Sequence, residues 1–133
     1  MALENFAGYF VWVDFAASWC GPCTRQAPLI SKLEDVVGED VLFLTLLTSA
    51  AEPTSQATVG TAAAWAKRYR LNPYLVVAGH ERARTIPQHI LFSPLGQTLY
   101  HAIGYHTDVQ IRATLAQHMN RWNRLHPEVS FSE

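Results

Sequence analysis

Phe10-Val11-Trp12-Val13-Asp14-Phe15-Ala16 runs almost directly into Trp19-Cys20-Gly21-Pro22-Cys23, and these two stretches decide the fold. The first is apolar at every position but Asp14, the pattern of a strand covered on both faces. From Cys23 the apolar positions Ala27, Ile30, Leu33 and Val37 step by three or four, which predicts an amphipathic helix. Pro28 falls inside that helix and is expected to kink it, and Gly38 is placed to stop it. Val41-Leu42-Phe43-Leu44-Thr45-Leu46-Leu47 reads as a second buried strand. Two such strands joined by a helix form a βαβ unit, so the sheet starts parallel.

Further along, residues 48–60 are rich in Ser, Thr, Ala and Pro and read as a loop. A helix is expected over Thr61–Leu71, with Trp65, Ala66 and Tyr69 on one side, then a short strand over Tyr74–Val77. His80 to Thr85 reads as a charged turn, its Glu81-Arg82-Ala83-Arg84 run a solvated face. Gln88–Ser93 and Thr98–Ile103 are expected to pair as a hairpin about the Ser93-Pro94-Leu95-Gly96 turn. Gly104 ends the hairpin. Thr107-Asp108-Val109-Gln110 has capping-box form and opens a helix burying Ile111, Leu115, Met119 and Trp122. The whole is a single α/β domain over residues 1–123, a central mixed β-sheet with helices on both faces, and a polar C-terminal tail over 124–133.

The 133 residues suit one domain, and 49% hydrophobic against 16% charged residues argues against disorder. A net charge of -1 excludes the basic excess of a nucleic-acid binder. No apolar run has the length of a membrane span. The first residues lack the basic region and cleavage site of a signal peptide, so the expectation is either a cytosolic protein or, given the abrupt start before a core strand, a piece of something longer.

The chain has two cysteines, and both sit in one short motif, which is a reactive arrangement and not a stapling one. A thiolate performs disulfide exchange, so the pKa of the thiol sets the supply of nucleophile. Cys20 is expected at a helix N-terminus, where free N–H groups and the dipole favour the thiolate. Pro22 loses nothing there by lacking an N–H. Cys20 is thus the expected exposed nucleophile and Cys23 the more buried resolving thiol. Asp14, a carboxylate in a doubly buried strand, is expected to have a raised pKa and to accept the Cys23 proton during turnover. A zinc site would need about four ligands; no second cysteine pair exists, and the histidines at 80, 89, 101, 106, 118 and 126 show no completing spacing. His89 and His101 are read as strand-face residues, His80 and His106 as candidates for the border of a groove.

Val13-Asp14-Phe15 followed by Trp19-Cys20-Gly21-Pro22-Cys23 resembles the thioredoxin family signature. Pro28 stands where that family carries its helix-kinking proline, Ile86-Pro87 resembles its cis-proline, and Gly96 and Gly104 resemble its hairpin glycines. The resemblance runs from about residue 8 to 122. It implies a thioredoxin fold and a Cys20–Cys23 dithiol/disulfide cycle with no other cofactor. It also implies a substrate-binding set of Trp19, Gly21, Pro22, Ile86 and Pro87, where a substrate strand pairs with the Ile86 backbone.

The Gly-Pro pair is typical of members that reduce protein disulfides; an oxidase or isomerase, or a redox-inert binding module, are the alternatives. The implied partners are protein disulfides and a separate thiol electron donor, acting on a monomer. Two departures stand out: Ala16 replaces a typical Trp, and no Lys occurs in Val41–Leu47 to neighbour Asp14. An extra helix and strand before the cis-proline is similar to the TlpA-like branch, and this favours an extracytoplasmic or periplasmic setting over a cytoplasmic one.

Overall fold

The computed structural model describes residues 6–79 and 85–128. The expectations for His80 to Arg84, and those for the first five and last five residues, lie outside that range. Strand β1 (Phe10–Ala16) is followed by helix α1 (Gly21–Val37), strand β2 (Val41–Leu47), helix α2 (Val59–Tyr69), a 3₁₀ turn (Pro73–Leu75) and strand β3 (Val76–Ala78). Strands β4 (Gln88–Phe92) and β5 (Thr98–Ile103) and helix α3 (Asp108–Leu125) complete the chain. The sheet order is β3-β2-β1-β4-β5, parallel from β3 to β1 and antiparallel from β1 to β5.

Three local expectations are corrected. Helix α2 starts at Val59, because Thr58 and Thr61 cap it reciprocally. Thr61 does the work usually given to Glu or Gln, so the start looked like loop. The strand expected over Tyr74–Val77 is replaced in its first half by the 3₁₀ turn, which the Asn72 side chain caps through the Tyr74 N–H at 2.9 Å. Helix α3 continues to Leu125, two residues into the expected tail. Its cap is the anticipated one: Thr107 accepts from the Gln110 N–H, and the Gln110 side chain accepts from the Thr107 N–H.

The helices do not divide between the two faces. Among the described residues, buried side chains of α1 (Cys23, Ala27, Ile30, Leu33), α2 (Ala62, Trp65, Ala66) and α3 (Ile111, Leu115, Trp122) all join one core with Phe10, Trp12 and Phe43. The physical reason is handedness: β1 to β2 and β2 to β3 advance in the same direction, so two right-handed crossovers put both helices on one face. The opposite face is a smaller cluster of Val11, Val13 and Leu44 with half-buried neighbours such as Phe15, Leu46 and Phe92. Alternation along β1 therefore sends Trp12, Asp14 and Ala16 to the helical side.

Candidate active site

The end of β1 delivers the chain to the start of α1, and Cys20 is the N-cap residue of that helix. Its Sγ accepts the Cys23 N–H at 3.2 Å. That bond satisfies one of the orphan donors at the helix start, and with the dipole it stabilises negative charge on Cys20 sulfur whenever the thiol is free. Pro22 occupies the first turn, where its missing N–H costs nothing. Cys20 and Cys23 are joined as a disulfide. Cys23 is fully buried and Cys20 retains 5% exposure, so the nucleophile is less open than the sequence suggested but is still the outer sulfur.

The Ile86–Pro87 peptide is cis, and the Ile86 carbonyl oxygen lies 3.6 Å from Cys20 Sγ. The loop after β5 closes the same edge: Gly104, at φ +106°, donates its N–H to the Pro87 carbonyl at 2.8 Å. That backbone conformation is one a side chain resists. Trp19 is 42% exposed beside the disulfide, and its indole donates to Ser49 Oγ at 2.6 Å. Gly21 and Pro22 are exposed between the cysteines. The structure thus brings Trp19, Gly21, Pro22 and Ile86 to the edge around Cys20, with Pro87 and Cys23 buried.

Asp14 lies in the buried layer on the helical side. In register it faces Thr45 on β2 and His89 on β4. Neither carboxyl oxygen meets a hydrogen-bond partner among the described residues, and burial pushes its pKa from 3.8 up to about 8. The raised pKa expected from the sequence is therefore present, and desolvation is its cause.

The sequence reading missed what surrounds Asp14. His89 is completely buried and accepts the Trp12 indole N–H at 3.0 Å. Its Nδ1 is 3.9 Å from Asp14 Oδ1, beyond a hydrogen bond. Desolvation, then the nearby His106, lower the His89 pKa to about 3 against a smaller opposing pull from the Gly104 carbonyl. His106 packs on it with ring centroids 4.4 Å apart. Gln26, one turn past Cys23, grips the His106 backbone from both sides: its amide donates to the His106 carbonyl at 2.9 Å and accepts the His106 N–H at 2.8 Å. The one available signal for His89 was its place two residues before Leu91 on a core strand. Gln26 carried a weaker one, a polar residue on the buried stripe between Cys23 and Ala27. Among the described residues, no three His, Cys, Asp or Glu side chains are grouped to hold a metal ion.

The disulfide at a helix N-terminus and the cis-proline facing it, on this sheet order, make a thioredoxin-like fold. Residues 4–61 match the thioredoxin family model. A thioredoxin of Ictalurus punctatus is 46% identical over 46 residues, covering 32% of this chain and 41% of the relative, so the chain spans less than half of that curated protein.

Among solved structures, an exposed lipoprotein thioredoxin of Streptococcus pneumoniae superposes with a TM-score of 0.68 at 22% identity, over 86% of this chain and 89% of that one. A secreted disulfide oxidoreductase of Mycobacterium tuberculosis gives 0.65 at 16% identity, over 85% and 84%. At these identities the two structures speak for the fold.

Proposed function

We propose that this domain is a thiol–disulfide oxidoreductase that reduces protein disulfides through Cys20 and Cys23. The observation that carries it is the Cys20–Cys23 disulfide at the α1 N-terminus, 3.6 Å from the Ile86 carbonyl through Cys20 Sγ. In the reduced form the Cys20 thiolate attacks one sulfur of a substrate disulfide, and the other sulfur leaves as a thiolate that takes a proton from water. Cys23 then gives its proton to ionised Asp14 and attacks Cys20 Sγ. The mixed disulfide breaks, the second substrate sulfur leaves as a thiolate, and Cys20–Cys23 re-forms. A separate thiol donor restores the dithiol, and the cysteine pair itself is the redox group.

Trp19, Gly21, Pro22, Ile86 and Pro87 supply the substrate surface in this reading. An extended segment of substrate beside Cys20 pairs with the Ile86 backbone, as a strand adds to a sheet edge. The α2–β3 segment before Pro87 supports the TlpA-like branch. The exposed and secreted proteins of the same fold support an extracytoplasmic setting. Among the described residues, no helix is long and apolar enough to cross a membrane.

The test is reduction of insulin with dithiothreitol as donor. The domain should accelerate precipitation of the insulin B chain, and Cys20→Ser should match the buffer blank. A Cys20→Ser protein as active as the unaltered one defeats the proposal.

A further inference from the structure

The buried layer on the helical side contains two imidazoles whose hydrogen-bond partners constrain their tautomers. An indole N–H can only donate, so His89 Nδ1 accepts from Trp12 at 3.0 Å and the ring carries its proton on Nε2. A carbonyl can only accept, so His106 Nδ1–H donates to Gly104 at 2.8 Å, and His106 Nε2 and the Tyr100 hydroxyl share a hydrogen bond at 2.8 Å. His89 Nδ1 is also the ring atom recorded against Asp14 Oδ1, at 3.9 Å. A histidine in this position with a free Nδ1–H would stabilise the carboxylate. Here that nitrogen is already committed as an acceptor.

We propose that His89, locked by the Trp12 indole, is the positioning residue for Asp14: its Nδ1 is held as an acceptor, so no N–H is offered to the carboxyl and the carboxyl keeps its proton in the disulfide form. This rests on the disulfide-cycling reading above and deepens it. The groups that face the pair are few. Thr45 stands across from Asp14 on β2, and α1 contributes the buried Cys23 and Gln26, the latter bonded to the His106 backbone. His106 comes from the loop after β5, Tyr100 from β5, and His118 of α3 packs on the Tyr100 ring. Among the described residues, the buried charged or titratable side chains are Asp14, His89, His106 and the two cysteines, and no Lys or Arg is buried. The His106 ring lies tilted against His89, and a charge on one ring would oppose a charge on the other.

The stored proton has a definite use. A donor thiolate attacks Cys20 Sγ and forms a mixed disulfide with it. The Cys20–Cys23 bond breaks, its electron pair goes to Cys23 Sγ, and the Asp14 proton transfers to that leaving thiolate. Asp14 is left as the carboxylate that the next resolving step needs. The Trp12–His89 lock thus serves the recharging half of the cycle.

The test is a titration of the Asp14 carboxyl carbon by NMR in the disulfide form of three proteins: unaltered, Trp12→Phe and His89→Gln. Phe frees Nδ1 to carry a proton toward Asp14. Gln can accept from Trp12 through its oxygen and still donate through its amide. In each variant the Asp14 midpoint should fall by about one pH unit or more, the worth of one hydrogen bond to a charged group. The pH profile of insulin reduction should move with it. Midpoints unchanged in both variants overturn the proposal. If they are unchanged while the unaltered protein reduces insulin, the lock is refuted and the oxidoreductase reading stands. If they shift while the unaltered protein has no insulin activity, the lock stands without that function.

Discussion

Asp14 and His89 stand directly opposite each other across the β1–β4 pairing, both buried, with Nδ1 and Oδ1 3.9 Å apart. An acid and a base this close in a dry layer form an ion pair only if attraction and hydrogen bonding exceed the cost of desolvating both charges. Here desolvation prevails: Asp14 titrates near 8 and His89 near 3, so both are neutral in mildly acidic solution.

That relationship fixes how stability depends on pH. Asp14 is raised on folding, so its contribution is intact below 3.8 and lost as pH rises toward about 8. His89 is lowered, so its contribution is intact above 6.5 and lost as pH falls toward about 3. Between roughly 4 and 6.5 the two slopes oppose each other, and above 6.5 only Asp14 acts. Urea unfolding of the disulfide form should therefore show a loss of about 2 kcal/mol from pH 6.5 to 8 that Asp14→Asn abolishes. An equal loss in the variant would refute the assignment.

Gln26 should be a stability residue out of proportion to its type. It is fully buried, and its amide makes both bonds to the His106 backbone. Gln26→Ala leaves a buried N–H and a buried carbonyl unpaired and should cost about 2–4 kcal/mol. Urea midpoints measure it, and a cost below about 0.5 kcal/mol, the level of an ordinary surface change, would show that the clamp contributes little.

Direction of transfer is set by the poise of the cysteine pair. With Gly21-Pro22 between the cysteines, the pair should stay oxidised in a glutathione buffer near −180 mV and become half-reduced nearer the thioredoxin value of about −270 mV. Alkylation and mass measurement across a glutathione series gives the midpoint. A midpoint near −120 mV, the range of a strong oxidant, would turn the reading to an oxidase.

Much of the fold was legible because its signals are local. β1, β2 and β5 occupy the stretches their apolar runs marked out, and α1 follows its three- and four-residue spacing. The Thr107 cap was readable for the same reason. What the sequence hid depends on pairing. The approach of His89 to Asp14 follows from the register between β1 and β4, which are separated by more than seventy residues. Spacing along one chain does not carry that information, so His89 read as an ordinary strand residue and Asp14 as a carboxyl that had lost its neighbour. The Gln26–His106 clamp, 80 residues apart in sequence, was hidden likewise. The helices share one face, against the expectation of two, because β1, β2 and β3 follow one another in the same direction across the sheet, an order that local spacing does not carry.

The most direct test of the central claim is a mixed-disulfide trap. Reduced Cys23→Ser and Cys20→Ser proteins are each mixed with a peptide disulfide, and adducts are located by mass spectrometry of proteolytic fragments. Cys23→Ser should accumulate one peptide per chain on Cys20, and Cys20→Ser should give almost none, because Cys23 is the fully buried sulfur. Equal labelling of Cys23 in the Cys20→Ser protein, or no adduct on Cys20, would contradict the account.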